Sequence, residues 1–337
     1  MFIGVGSLVF AIHPALHSLG SVAVIGMVCV VALAFILPPV LFRFLVCKSL
    51  RKDRKDRIFP VRIADILVTL WSGFVFLLFL LAFKLRGVFG KKQSAASLRK
   101  KITGVMRFFS TGLPRSSFSL MLSDGTFKGK EAFAEAGKIF ENEKPAVIIC
   151  NHQSHLDLMY LLALSDKIAV VTNGWVYNSP VYGNFVRQSG FVCIDDGVEA
   201  NLEKLKALKE AGMSVLIFPE GTRSEDCSIL KFRSGAFSLA KDLDMEILPI
   251  VLFGPGEILP KGEHILRRGK VALQFCDRIR PSELDDWGPR PLKQAQEFRR
   301  YYTQAYASLR GRMYADKDFR KLRDNDRNLY RSEGDMV

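Results

Sequence analysis

A chain of 337 residues with 49% hydrophobic side chains and a formal net charge of +14 has room for one large domain or two ordinary ones, and its charge calls for an anionic partner. Of nucleic acid, an anionic membrane surface and an acidic substrate, the long apolar segments of residues 1–90 favour the membrane, since basic flanks beside such segments are the usual membrane-protein pattern. The six cysteines stand far apart with no CxxC pair, so the chain offers no zinc knuckle, no metal set and no disulfide framework, and a reducing compartment for the polar part is the simplest inference.

The first apolar run, Phe2 to Ile12, is about half the ~20 residues a helix needs to span a bilayer. A second, Ser21 to Val46, is long enough, and Pro38-Pro39 is expected to kink it. The connection His13 to Ser18 lacks Lys and Arg, whereas Lys48, Arg51, Lys52, Arg54, Lys55 and Arg57 follow the second run. That asymmetry puts residues 48–57 in the cytoplasm and the His13 to Ser18 turn outside. Residues 1–47 therefore read as two membrane helices, the first cut short. The stretch Gly4 to Phe44, with His13-Pro14-Ala15-Leu16, Gly20, Gly26 and Leu37-Pro38-Pro39, is similar to the last two membrane helices of RND/MMPL-type lipid exporters, some of which carry an acyltransferase fused at the C-terminus. The resemblance implies a fusion fragment whose missing exporter part is a partner; an unrelated helical hairpin anchor is the competing reading.

Residues 48–92 hold the basic loop and a third apolar segment, Ile63 to Phe83. Lys84, Arg86, Lys91 and Lys92 follow it, so both flanks are basic. A simple crossing would carry the remaining chain outside, whereas a bend at Ser72-Gly73 into a re-entrant or in-plane hairpin satisfies the charge rule on both sides.

Residues 93–337 alternate short apolar runs with amphipathic stretches. The β-type runs are Ala146–Cys150, Ile168–Thr172, Phe191–Ile194, Ser214–Phe218, Ile247–Phe253 and Val271–Phe275; Gly197–Gly212 and Ser234–Asp242 read as helices. This alternation predicts an α/β domain with a mixed, largely parallel sheet flanked by helices, and catalytic groups of such domains gather at the C-terminal ends of strands. Two segments lie at such ends. In the first, Asn151-His152-Gln153-Ser154-His155-Leu156-Asp157, a strand runs into a helix, and Asp157 can reach one nitrogen of His152 and leave the other as a base. The spacing alone is common by chance, and a helix-capping His with a first-turn carboxylate is the bland alternative. His155 is the rival base, and its geometry makes it structural. In the second segment, Phe218-Pro219-Glu220-Gly221-Thr222-Arg223-Ser224, Gly221 allows close backbone approach, Thr222 offers a hydroxyl and Arg223 a fork suited to phosphate. Alone it is equally a charged surface turn.

Together the two segments resemble the PlsC-type glycerolipid acyltransferase superfamily over about residues 129–281. Pro180, Gly183, Gly190 and Asp195-Asp196 resemble its second block, and Lys231-Phe232-Arg233-Ser234-Gly235 and Leu248-Pro249-Ile250 its later ones. The resemblance implies that His152 is the general base and Asp157 its orienting partner. It also implies that Glu220, Gly221, Thr222 and Arg223 hold the acceptor's phosphate and glycerol, that Asn151, Ser154, Lys231 and Arg233 support them, and that Pro249 shapes the acyl-donor site. Where the family often has basic residues, this chain has Thr172-Asn173-Gly174-Trp175, which leaves the acceptor open between 1-acyl-glycerol-3-phosphate and another lysolipid.

The expected enzyme moves an acyl group from acyl-CoA or acyl-carrier protein, its only co-substrate with no cofactor, to a lysophospholipid hydroxyl without an acyl-enzyme. It would sit at a bacterial inner membrane with its catalytic domain in the cytoplasm and membrane lipids as partners; the alternative is an accessory domain of an exporter. The stretch Lys293 to Arg331, rich in Arg and Tyr, reads as a solvated or membrane-facing helix rather than a nucleic-acid site, because Asp316, Asp318, Asp324 and Asp326 interrupt its positive run.

Overall fold

The computed structural model describes residues 21–31, 34–35, 63–89, 94–112, 116–123, 125–179, 183–196, 198–267 and 269–315. The chain divides into two units, Met1–Val61 and Arg62–Val337. In the first, a helix α1 (Ser21–Val31) exposes Val22, Ile25, Val28 and Val30. The Phe2 to Ile12 run, Pro38-Pro39, the basic loop 48–57 and most of the stretch similar to exporter helices lie outside the described residues.

The second unit starts with two helices, α2 (Ile63–Phe89) and α3 (Ala95–Gly112), and a hairpin, β1 (Ser116–Leu122) and β2 (Gly125–Lys128). Then follow α4 (Gly129–Asn142), β3 (Val147–Cys150), α5 (Leu156–Leu162), β4 (Ile168–Thr172), α6 (Gly174–Tyr177), α7 (Gly183–Gln188) and β5 (Val192–Cys193). The chain continues through α8 (Val198–Glu210), β6 (Ser214–Ile217), α9 (Gly235–Asp242), β7 (Ile247–Phe253), α10 (Pro255–Ile258), β8 (Gly269–Phe275) and α11 (Pro291–Ala315). The eight strands form one sheet in the order β2-β1-β8-β7-β3-β6-β4-β5. From β7 to β5 all neighbours are parallel; β8 runs antiparallel to β7, and β2 antiparallel to β1. The expected mixed, largely parallel sheet is therefore present. Its hairpin β1–β2 was not among the expected strands.

β3 lies at the centre, between β7 and β6, with all four residues buried. Side chains alternate across a strand, so Ile148 and Cys150 join one apolar layer with α3, α4 and α5. Val147 and Ile149 join the other, with α9 and α11. A strand covered on both faces reads as a continuous apolar run, which is how Val147–Cys150 appears in the sequence. Within the first layer Phe118 stacks on Phe133 at 4.4 Å and on Tyr160 at 5.4 Å. Because β3 and β6 are adjacent and parallel, the loops leaving their C-terminal ends meet above the same edge of the sheet.

Two expectations are corrected. The segment Ile63 to Phe83 does not bend at Ser72-Gly73: α2 runs unbroken through both residues. A single glycine costs a helix only about 1 kcal/mol, and the turns beyond it are held by packing. Phe79 and Phe83 meet Phe185 edge-on at 6.5 and 5.6 Å, Phe76 meets Phe109 at 6.2 Å, and Thr69 Oγ1 accepts from the backbone N–H of Leu266 at 2.8 Å. The second correction concerns α11. It is neither solvated nor membrane-facing on its aromatic side, since Ala295, Phe298, Tyr302 and Leu309 are fully buried against the sheet. Their spacing of three, four and seven residues is an apolar stripe, masked in the sequence by the interleaved Arg299, Arg300, Arg310 and Arg312.

Candidate active site

The loop after β3 is built to hold a histidine. Asn151 ends the strand fully buried; its Nδ2 donates to the Leu252 carbonyl and its Oδ1 accepts from the Leu252 N–H, both at 2.9 Å, which ties the end of β3 to β7. Ser154 turns the chain into α5: its hydroxyl accepts from Leu156 N–H at 3.2 Å and donates to the Leu259 carbonyl at 2.8 Å. Asp157 stands in the first turn of α5, 1% exposed, and its Oδ2 receives three donors. These are the N–H groups of Gln153 at 2.6 Å and Ser154 at 2.8 Å, and Nδ1 of His152 at 2.9 Å. Such a carboxylate fixes the tautomer with the proton on Nδ1 and turns Nε2 into the acceptor. The His152 side chain keeps 22% of its surface exposed, and Phe218 stacks on the ring at 4.2 Å and 20°.

The backbone of His152 is held as firmly as its ring. Its N–H donates to Glu220 Oε1 at 3.0 Å, and its carbonyl accepts from Ser224 N–H at 2.8 Å. The second oxygen of Glu220 accepts from Leu230 N–H at 3.0 Å. Both carboxylate oxygens of this residue, 4% exposed, are thus engaged by backbone donors, which gives Glu220 a bridging task within the protein. Burial raises its pKa to about 7 despite those two bonds, because a desolvated carboxylate favours the neutral form.

The expected anion-binding residues lie beside this pair. Gly221 has φ +67°, which favours glycine, and a β-carbon there would stand 2.8 Å from Cζ of Arg233, so the exposed guanidinium would have to move aside. Gly221, Thr222, Lys231 and Arg233 are exposed. Arg223 is half-buried and forms no hydrogen bond or ion pair among the described residues, although it lies near Asp157 and His155. Burial pulls its pKa below the usual guanidinium value, with Asp157 opposing. The His155 pKa is lowered by burial first, then by Arg223 and His152.

Ten of the eleven expected site residues therefore gather at the C-terminal ends of β3 and β6. Pro249 does not: it is a buried mid-strand residue of β7 opposite Ile149. Sequence reasoning gave no role to Phe218, Gln153, Arg299, Tyr302 or Tyr306. Phe218 adjoins the Glu220 segment and could have been found there. The last three stand more than 70 residues beyond it, with no local signal. Among the described residues no group of three or more His, Cys, Asp or Glu side chains is placed to hold a metal ion.

Residues 126–253 match the family model described as Acyltransferase. The chain is 34% identical over 149 residues to a 1-acyl-sn-glycerol-3-phosphate acyltransferase of Chlamydomonas reinhardtii, covering 43% of this chain and 45% of that protein. It is equally similar, at 34% over 149 residues, to the chloroplastic 1-acyl-sn-glycerol-3-phosphate acyltransferase LPAT1 of Arabidopsis thaliana, covering 43% of this chain and 42% of the relative. The chain thus spans less than half the length of these curated relatives. Among solved structures it is similar to the 1-acyl-sn-glycerophosphate (LPA) acyltransferase PlsC from Thermotoga maritima, with a TM-score of 0.55 and 20% identity over 74% of this chain and 97% of that one; at this identity the likeness shows the fold. The His152–Asp157 pair and the Glu220–Arg223 turn both fall inside the segment that matches the Acyltransferase family model, residues 126–253, and the fold around them is similar to that of PlsC.

Proposed function

We propose that the chain transfers a fatty acyl group from a thioester donor, acyl-CoA or acyl-carrier protein, to the free hydroxyl of a lysophospholipid such as 1-acyl-glycerol-3-phosphate. The observation that carries this reading is the His152 Nδ1–Asp157 Oδ2 bond of 2.9 Å at the end of β3, with the half-buried guanidinium of Arg223 close enough to interact electrostatically with Asp157. The acceptor hydroxyl gives its proton to Nε2 of His152 as its oxygen attacks the thioester carbonyl. The C–S bond then breaks, the leaving thiolate takes the proton from the imidazolium, and an ester and a free thiol result. Asp157 stabilises the imidazolium in between. Both substrates meet in one complex, so no Ser or Cys nucleophile enters. Arg223, with Arg233 and Lys231 at the exposed rim, supplies the charge that an acceptor phosphate needs, and a half-buried guanidinium gains more from such an anion than an exposed one does.

The domain works at a membrane because its acceptor is a lipid, and α2 offers the contact. Leu67, Leu70, Trp71, Phe74, Leu77, Leu78 and Leu81 form a stripe at helical spacing, each between 47% and 64% exposed. Among the described residues α2 is the one helix long and apolar enough to cross a membrane. Both flanks of α2 are basic, which favours α2 lying unbroken in the plane of the bilayer surface rather than crossing it, with the catalytic domain on the cytoplasmic side.

The test is to offer the purified chain labelled acyl-CoA or acyl-carrier protein with a panel of lysolipids and to identify products by mass spectrometry. A diacyl lipid and an equivalent of free thiol are expected. Absence of an acylated product across the whole panel would overturn the reading. Arg223→Ala is expected to raise the acceptor KM about ten- to hundredfold with little change in kcat, as loss of a charge-assisted bond to a ground-state phosphate requires.

A further inference from the structure

The helix α11 lies beyond the segment matched by the acyltransferase family, yet three of its side chains reach the loops that hold His152. Tyr302, fully buried, places its hydroxyl where it accepts the N–H of Asn151 at 2.9 Å, and it lies 2.8 Å from Asn151 Oδ1 and 2.6 Å from the Ile250 carbonyl. Tyr306 accepts from Nε2 of Gln153 at 2.9 Å, and the same amide donates to the Cys227 carbonyl at 2.8 Å. Arg299 donates through Nε to the Leu230 carbonyl at 2.7 Å and through Nη2 to the Ile229 carbonyl at 2.8 Å.

These contacts converge on one residue. Asn151 and Gln153 are the neighbours of His152 on either side, and each is held by a tyrosine of α11. Arg299 fixes the segment whose Leu230 N–H binds Glu220, and Glu220 in turn binds the N–H of His152. Spacings of three and four residues put Arg299, Tyr302 and Tyr306 on one helical face, within about 10 Å along the axis at 1.5 Å per residue. Packing alone would need neither the hydroxyls nor the guanidinium. Phe298 and Leu309 already fill the same face with carbon, whereas these three spend buried or half-buried polar groups on the backbone around the base.

We infer that α11 is the positioning element of the active site: Arg299, Tyr302 and Tyr306 hold the peptide on both sides of His152 so that Nε2 meets the acceptor hydroxyl in a reactive geometry. The inference rests on His152 being the base. None of the three touches substrate; they act through Asn151, Gln153 and Glu220. A loosened base lowers turnover without altering how the substrates bind, because misplacement by a fraction of an ångström is felt mainly in the transition state.

The experiment compares Tyr302→Phe, Tyr306→Phe and Arg299→Lys with the parent and with Arg300→Ala, whose side chain is exposed and bonded to Glu297 on the other side of the helix. Steady-state kinetics and hydrogen exchange of the segment 151–157 are read on the full chain below its unfolding temperature. The expected result is a kcat lowered about ten- to hundredfold with both KM values within about threefold, together with faster exchange at residues 151–154 and unchanged exchange in β1. Arg300→Ala should match the parent in both readouts. If Tyr302→Phe does not fold, Tyr306→Phe and Arg299→Lys carry the comparison, since each leaves other bonds to its partners' loops in place. Folded variants that keep the parent's kcat and exchange would overturn the inference. A parent that transfers no acyl group would instead defeat the proposed function and with it the role of α11 in catalysis, while faster exchange confined to 151–154 in the variants would still show that α11 orders the His152 loop.

Discussion

At the scale of single residues, Glu220 changes meaning between sequence and structure. The resemblance implied a contact with the acceptor, and the structure adds a second task, since each oxygen of Glu220 accepts a backbone N–H, from His152 and from Leu230. Its raised pKa of about 7, against 4.5 ordinarily, means that the native state binds the proton more tightly than the unfolded chain. The contribution to stability is therefore full below pH 4.5 and is lost as pH rises to about 7. Glu220→Gln should flatten that decline in thermal denaturation across this window, while lowering kcat because a Gln amide can accept only one of the two N–H bonds. Gly221 makes a second residue-scale prediction. Gly221→Ala forces a positive φ on a residue with a β-carbon and pushes it against Arg233. It should cost about 1–2 kcal/mol in chemical denaturation and raise the acceptor KM by displacing the guanidinium. The pair His152–Asp157 was legible from spacing and position because its members are five residues apart on one strand-to-helix turn. The donors that complete it were not, since backbone N–H groups carry no mark in a sequence.

At the scale of elements, six of the eight strands were visible as apolar runs, each within a few residues of its observed bounds. They were visible because the central strands are buried on both faces and so contain little besides Val, Ile, Leu and Phe. The hairpin β1–β2 was missed for the converse reason: Ser116-Ser117-Phe118-Ser119-Leu120 alternates polar and apolar residues over a short span beside a helix. The error over α11 is more instructive. Its arginines and tyrosines suggested a surface, yet a helix with one apolar stripe can be strongly basic on its other face and still pack into a core. The helix α2 has the opposite property, an apolar face left exposed among the described residues. Replacing Leu70, Trp71 and Leu77, 64%, 64% and 62% exposed, together by Glu should release the chain from anionic vesicles in a flotation assay while Phe79 and Phe83 keep α2 packed on Phe185.

At the scale of the whole molecule, a central parallel strand, a turn that seats a base and a neighbouring strand that ends in an arginine-bearing loop bring two distant segments to one edge of the sheet. A third segment, α11, closes over their far side, and α2 exposes an apolar face. The central claim is that His152, oriented by Asp157, is the base for acyl transfer, and the most direct test is to measure the turnover of a labelled acyl thioester with a lysophospholipid by purified His152→Ala beside the parent. Both proteins should give the same circular dichroism spectrum. A kcat lowered about 10²- to 10⁴-fold with the acceptor still bound is expected; a folded His152→Ala that transfers acyl groups at the parent's rate would contradict a histidine base.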